Sequence, residues 1–341
     1  MLENSNSTEH HFYNYTPSRR APIIFGWLNI FATGLIIILV FYCGFSKFRE
    51  VRQWKKFNIE LRHFSVTKLI AAYIPLIIGM AMETLGYAGR SISVVDQQVV
   101  GPYVLQVLLL LVAPTLYAAT IYMLFGRLTY LLFAEETLIL PAKFNTSFFV
   151  IGDIISLVMQ TAGSSMRANA NSAKSGTNIA TAGLFIQLGF FGLFIINEAL
   201  FYFRIKSISS NIHTNFRLWK FSNFILLFNS ILILVRSIVR TIEFKQGDEG
   251  FITDHEWCLY TFDSALMFIV GFIFLVSLPF FGIFQLQHAS VKTQLEEAYD
   301  KKNSEFVPND YLNNYNASID MSDLDSFRYA VEFKREDIIM K

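Results

Sequence analysis

The chain is poor in the residues from which most catalytic centres are built. Only two of its 341 residues are cysteine and 16% are charged. Two thiols, Cys43 and Cys258, standing at the ends of different apolar runs, exclude a disulfide scaffold. All six histidines (His10, His11, His63, His213, His255 and His288) fall outside the apolar cores. This excludes a membrane zinc hydrolase with imidazole ligands on its helices, and no metal is expected. No GxxxxGK[ST] stretch occurs, so there is no P-loop for ATP, and no GxSxG elbow presents a nucleophilic serine. The last apolar run has no lysine for a retinal Schiff base. The third ends in Gly126-Arg127-Leu128, not the acidic-Arg-aromatic triplet of the large seven-helix receptor class. A net charge of +1 offers nothing to nucleic acid. Neither an enzyme nor a cofactor protein is expected.

What the chain has is apolar length. It is 53% hydrophobic, with a mean hydropathy of +0.41, too apolar for a soluble chain of this size. Seven long runs cover approximately Ile23–Gly44, Leu69–Gly89, Tyr103–Phe125, Phe148–Ser165, Ile179–Phe203, Phe221–Val239 and Leu259–Phe284. About 20 apolar residues span a hydrocarbon core as a helix. Backbone amides in lipid must be satisfied within the segment, so helices are expected rather than strands. The fold class is therefore all-α, a polytopic seven-transmembrane helix bundle. Three regions follow: a tail over 1–22, the transmembrane domain over 23–286, and a polar, largely disordered tail over 287–341.

Loop charge sets the expected orientation. Lys47, Arg49, Arg52, Lys55, Lys56, Arg62 and Lys68 follow the first run, and Arg204, Lys206, Arg217 and Lys220 follow the fifth. The alternate loops are poorer in cations, and the one after the sixth run is acidic, with Glu243, Asp248, Glu249, Asp254 and Glu256. The positive-inside rule then places the N-terminus outside and the C-terminus in the cytosol. Asn6 and Asn14 head glycosylation sequons in the outer tail, whereas the sequons at Asn145 and Asn316 fall on the inner side. Trp27, Trp219 and Trp257 are expected as interface anchors.

An ionisable group in a membrane span usually faces the bundle interior and marks a functional site. Glu83, Gly86, Tyr87 and Arg90 stand at i, i+3, i+4 and i+7, one helix face. Asp153, Ser156, Gln160, Gly163 and Arg167 form a second stripe. Gln187 and Glu198 mark the fifth run. Arg236, Arg240 and Glu243 close the sixth, and Glu256, Tyr260 and Asp263 open the seventh. Together they suggest a polar, charge-balanced chamber open to the outer leaflet. There a lipid headgroup, amine or phosphate is received while its alkyl chain stays in the bilayer. The alternative is that the charges tie spans two, six and seven to one another. The candidate binding or translocation residues are Glu83, Tyr87, Arg90, Asp153, Gln160, Gln187, Arg236, Arg240 and Asp263. Pro114 is expected to bend the third span, and Gly79, Gly86, Gly163, Gly183, Gly189 and Gly192 to admit close helix contact.

The sequence Glu83-Thr84-Leu85-Gly86-Tyr87-Ala88-Gly89-Arg90 resembles the E-x-x-G-Y-x-x-R signature of the fungal lipid-translocating exporter family. Further matches follow in register: Ala113-Pro114, Tyr122 and Gly126-Arg127; Phe149, Asp153, Ser156, Gln160 and Gly163; Gly183-Leu184 and Gln187; Arg236, Arg240 and Glu243; Glu256, Tyr260 and Asp263. Val239 replaces a frequent aromatic, and Leu278–Gly282 lacks a His-Pro-Gly-like element. The family includes proteins of resistance to aminocholesterol and to sphingoid long-chain bases, and a porphyrin transporter. The resemblance implies a plasma-membrane translocator of amphipathic lipids, sphingoid bases foremost, whose partners are its lipid substrate and membrane lipids. A seven-helix sensor signalling through its basic first loop and tail is the alternative.

Overall fold

The computed structural model describes residues 17–54, 66–95, 100–132, 138, 142–167, 172–208, 216–246, 250–281, 283–284 and 286. Asn6, Asn14, most of the first basic loop, the tail from residue 287 and the Arg167 side chain lie outside the described residues.

Six long helices lead the chain: α1 (Ala21–Trp54), α2 (Val66–Val95), α3 (Val100–Leu131), α4 (Ala142–Arg167), α5 (Ala173–Ile208) and α6 (Phe216–Gln246). Short α7 (Phe251–Asp254) precedes a compound seventh span. That span is made of α8 (Glu256–Leu259), a π-helical turn (Tyr260–Ala265) and α9 (Leu266–Phe281). Seven helices are long and apolar enough to cross a membrane. No strand occurs among the described residues. The helices outrun their apolar stretches: α5 extends from Ile179 back to Ala173 and from Phe203 on to Ile208. Polar end turns still close their own backbone bonds while standing at the headgroup level.

α1 packs on α2 and α9, α2 on α3, α3 on α4, α4 on α5, α5 on α6, and α6 on α9, which closes a ring. α3 also reaches α6 across it. The outer faces are apolar: Trp27, Phe31, Ile38 and Phe41 on α1 and Phe185, Leu193 and Ile196 on α5 are exposed. Such faces are stable only against lipid. Inside, Tyr122, Phe125, Phe149, Phe191 and Phe194 are buried, with the Tyr122 and Phe194 ring centroids 4.5 Å apart, edge to face. This aromatic packing joins α3, α4 and α5.

Small residues act where two backbones meet. A methyl on Gly163 of α4 would run into the backbone of Gly176 and Ala180 on α5, and one on Gly183 would meet the Ser156 carbonyl at 2.8 Å. Gly79 and Gly86 of α2 sit less closely on α3, where a methyl would meet the Tyr117 and Leu110 side chains at 3.0 and 2.9 Å. Gly189 and Gly192 do not follow the expectation, because they face open space. Trp219 also departs from its expected place. It is buried beside Tyr202, ring centroids 6.1 Å apart, whereas Trp27 and Trp257 are exposed as expected. Cys43 and Cys258 are both buried thiols.

Candidate functional site

Two of the three arginines in the charged cluster come from α6. They lie one turn apart and so point the same way. The Arg240 Nη1 donates to both Glu243 oxygens at 3.2 and 3.1 Å, and its Nη2 donates to Asp263 Oδ2 at 3.1 Å. Arg236 forms an ion pair with the other Asp263 oxygen. Asp263 therefore sits between two guanidiniums, carried by the π-helical turn that opens the seventh span. A wider turn of this kind interrupts the regular helix and is common at functional positions.

The second contact of Arg236 explains its place. Pro114 has no N–H, so the carbonyl four residues earlier, that of Leu110, loses its helical partner. Arg236 Nη2 donates to this carbonyl at 2.9 Å. α3 runs on through Pro114, with the freed backbone acceptor turned into a binding group for a buried arginine. The Ala113-Pro114 pair is thus a site element as well as a bend signal.

The third arginine, Arg90 at the end of α2, donates through Nε to the Tyr260 hydroxyl at 3.0 Å and through Nη2 to Glu256 at 3.1 Å. Glu256 also accepts the Ser18 N–H, at 2.8 Å to its nearer oxygen. The segment before α1, the end of α2 and the start of the seventh span are thereby fastened together. Phe25 stacks on Tyr260, ring centroids 5.6 Å apart, and lies 6.0 Å from Tyr87.

Glu83 stands deeper, about midway along α2. It is 2% exposed and accepts a hydrogen bond from the Tyr117 hydroxyl at 3.2 Å. Each arginine of the cluster has a carboxylate at bonding distance, but Glu83 forms no ion pair among the described residues. Asp153 is similar: Tyr122 donates to it at 2.9 Å, and its second oxygen has no partner. Gln160 donates to Gln187 at 2.8 Å between α4 and α5.

The nine sequence candidates thus fall into three groups. Tyr87, Arg90, Arg236, Arg240 and Asp263 belong, with Glu83, to the α2–α3–α6–seventh-span interior. Asp153 lies against α3, and Gln160 and Gln187 bridge α4 and α5. All nine are placed by the contacts above, and all but Arg240 and Gln187 are buried. The predicted stripe of Glu83, Tyr87 and Arg90 is a buried face. The expected open chamber takes another form here: its charges are closed on one another. A cavity of about 20 Å³ lined by Arg236, Arg240, Asp263 and Cys258 admits roughly one water, not an alkyl chain. The sequence reading missed Tyr117, whose hydroxyl is the partner of Glu83, and the Leu110 carbonyl. A buried tyrosine one turn past Pro114 gives no distinctive signal, but the proline itself announces the free carbonyl.

The family described as "RTA1 like protein" matches residues 76–286. The chain belongs to this family. It is the fungal lipid-translocating exporter family, which the span-two signature resembles. The RTA1-like match takes in all nine candidates and begins just before the Glu83 stripe. Among Saccharomyces cerevisiae relatives, Protein RTA1 is 46% identical over 288 residues, 84% of this chain and 91% of its own length. Protoporphyrin uptake protein 1 is 40% identical over 281 residues, 79% of this chain and 92% of its own. Sphingoid long-chain base transporter RSB1 is more distant, 26% identical over 225 residues, 55% of this chain and 59% of its own. No solved structure matches the chain. Ser18 lies before the RTA1-like match, so the family pattern does not speak for its contact with Glu256.

Proposed function

We propose that this RTA1-like membrane protein translocates amphipathic lipids, cationic ones of the sphingoid-base kind foremost, and that it is not an enzyme. Glu83 carries the reading. It is a buried carboxylate with a neutral hydroxyl partner, in an interior where Arg90, Arg236 and Arg240 are each paired with another carboxylate. A carboxylate in a low-dielectric interior attracts a cation strongly, and an amine is the natural guest. The relative named as a sphingoid long-chain base transporter supports the substrate class. On this reading, entry requires the closed pairs around Asp263 to part. Without a nucleotide site the movement is driven by a gradient or by downhill exchange. The plasma membrane is the proposed setting, on the strength of the family and the Asn6 and Asn14 sequons, with an internal membrane the alternative; the loop charges support an N-terminus outside.

A second reading follows from the relative named as a protoporphyrin uptake protein. A porphyrin carries carboxylates, and Arg236 and Arg240 are the groups to receive them once Asp263 moves away. The test is release of a labelled sphingoid base from proteoliposomes holding this protein alone, beside Glu83→Gln. Release by wild type and not by Glu83→Gln supports the cationic reading. Release of labelled porphyrin instead, lost in Arg236→Gln and kept in Glu83→Gln, supports the second.

A further inference from the structure

Glu198 plays no part in the cluster described above. It lies on α5, 0% exposed, and makes no ion pair among the described residues. Its Oε2 is 3.0 Å from the Ser230 hydroxyl of α6, and its Oε1 has no partner. The same hydroxyl is 3.0 Å from the Leu226 carbonyl, one turn back on its own helix. A serine hydroxyl has one hydrogen, which two acceptors can only share in a weaker three-centre bond. If Glu198 is a carboxylate, its charge in a dry interior is met by that shared hydrogen alone. A second hydrogen on the Glu198 carboxyl completes both contacts. The chain then runs from the Glu198 O–H to Ser230 Oγ, and from the Ser230 O–H to the Leu226 carbonyl.

Among the described residues, no donor other than Ser230 bonds to Glu198. α5 packs on α4 and α6. α4 offers Asn145, which accepts from Asn197 at 3.0 Å; Asp153 of α4 is engaged by Tyr122 of α3. On α6, Lys220 lies over the Trp219 ring, and on α5 itself Tyr202 packs on the same ring. α6 does offer a route. Asn223 and Ser230 are seven residues apart and share a face, with the Leu226 carbonyl between them. Asn223 is 1% exposed, and neither of its amide atoms has a partner. A buried amide with both ends open is a natural host for water. It stands two turns closer than Ser230 to the end of the bundle where α6 begins.

We propose that Glu198 and Ser230 form a proton-binding site, separate from the arginine-lined cluster, which exchanges its proton with the aqueous phase along the Asn223 face of α6. In the translocator reading this proton is the coupling ion, a clause that rests on that reading; the site itself does not. The test is infrared difference spectroscopy of the full-length protein in lipid, in water and in heavy water. The expected result is a protonated-carboxyl band that shifts on deuteration, disappears as the pH is raised, and is missing from Glu198→Gln. Ser230→Ala keeps the acid but removes its acceptor, so the band should persist at a displaced frequency. This second variant decides the matter if Glu198→Gln fails to fold. Identical bands in wild type and Glu198→Gln would overturn the proposal, as would a band indifferent to heavy water or unmoved in Ser230→Ala. No transported lipid is involved, so the outcome is independent of whether sphingoid bases are the substrate.

Discussion

At the scale of single residues, the charges of this interior divide into those that hold and those that wait. Asp263 holds: it neutralises Arg236 and Arg240 together. Removing one partner of a buried pair leaves an uncompensated charge, which costs about 3–5 kcal/mol. Asp263→Asn should therefore lower the thermal stability of the purified protein sharply. Adding Arg236→Gln should recover part of the loss, and a double-mutant cycle on the melting curves measures how much. Glu83 waits, having Tyr117 as its hydrogen-bond partner and no cation. A hydrogen bond to a charged group contributes about 1.5–3 kcal/mol, which corresponds to about 10- to 150-fold in affinity. Glu83→Gln should weaken binding of a labelled sphingoid base by that order while leaving the melting temperature near wild type. Equal loss of stability in both variants would show that Glu83 too is structural.

At the scale of elements, the sequence was legible wherever one helix face decided the matter. The seven spans could be read from apolar length, and the Glu83–Tyr87–Arg90 and Asp153–Ser156–Gln160 faces from their spacing, because a helix fixes which residues look the same way. What could not be read were facts that depend on a second helix. Gly163 and Gly189 are alike in sequence, yet only Gly163 lies against a neighbouring backbone. Trp219 had the composition of a rim residue and became part of the interior. The π-helical turn around Asp263 also left no trace in the residues that form it. These differences predict opposite outcomes. Gly163→Val should push α4 from α5 and destabilise by about 1–3 kcal/mol, as overpacking does. Gly189→Ala should be neutral or stabilise by about 0.5–1 kcal/mol through helix propensity. Melting of both variants in one detergent checks the pair. Pro114→Ala belongs to the same scale. It restores a backbone donor to Leu110, which then competes with Arg236 for the carbonyl. The expected result is a protein that melts no lower than wild type but transports poorly, with its arginine no longer anchored. Undiminished transport would mean that the carbonyl contact is incidental.

At the scale of the whole molecule, the polar groups are spread unevenly along the bundle. Arg90, Glu256, Arg240, Glu243 and Asp263 gather where α2 and α6 end and the seventh span begins. Ser18, just ahead of α1, bonds to Glu256 there, so the start of the chain belongs to the same end. Ser230, with Glu198 against it, lies about midway along α6, and Asn223 stands two turns nearer the other end, where α6 begins. A carboxylate deep in the bundle that takes up a cationic lipid entering from the arginine-lined end, and a proton site reached from the other end, are the two elements an exchanger needs. Which end faces the cell exterior then fixes the direction of transport under a given gradient. In the proposed orientation the start of the chain lies outside. Asn6 and Asn14 should accordingly carry glycans that an endoglycosidase removes, with a mobility shift abolished in the Asn6→Gln/Asn14→Gln double variant. The buried Asn145, bonded to Asn197, should carry none whatever the orientation. An epitope at Lys341 should be reached by antibody only after cells are permeabilised. If it were labelled on intact cells and no glycan shift appeared, the bundle would be inverted. The arginine-lined end would then face the cytosol, and an outward proton site would make the same pair of elements an importer.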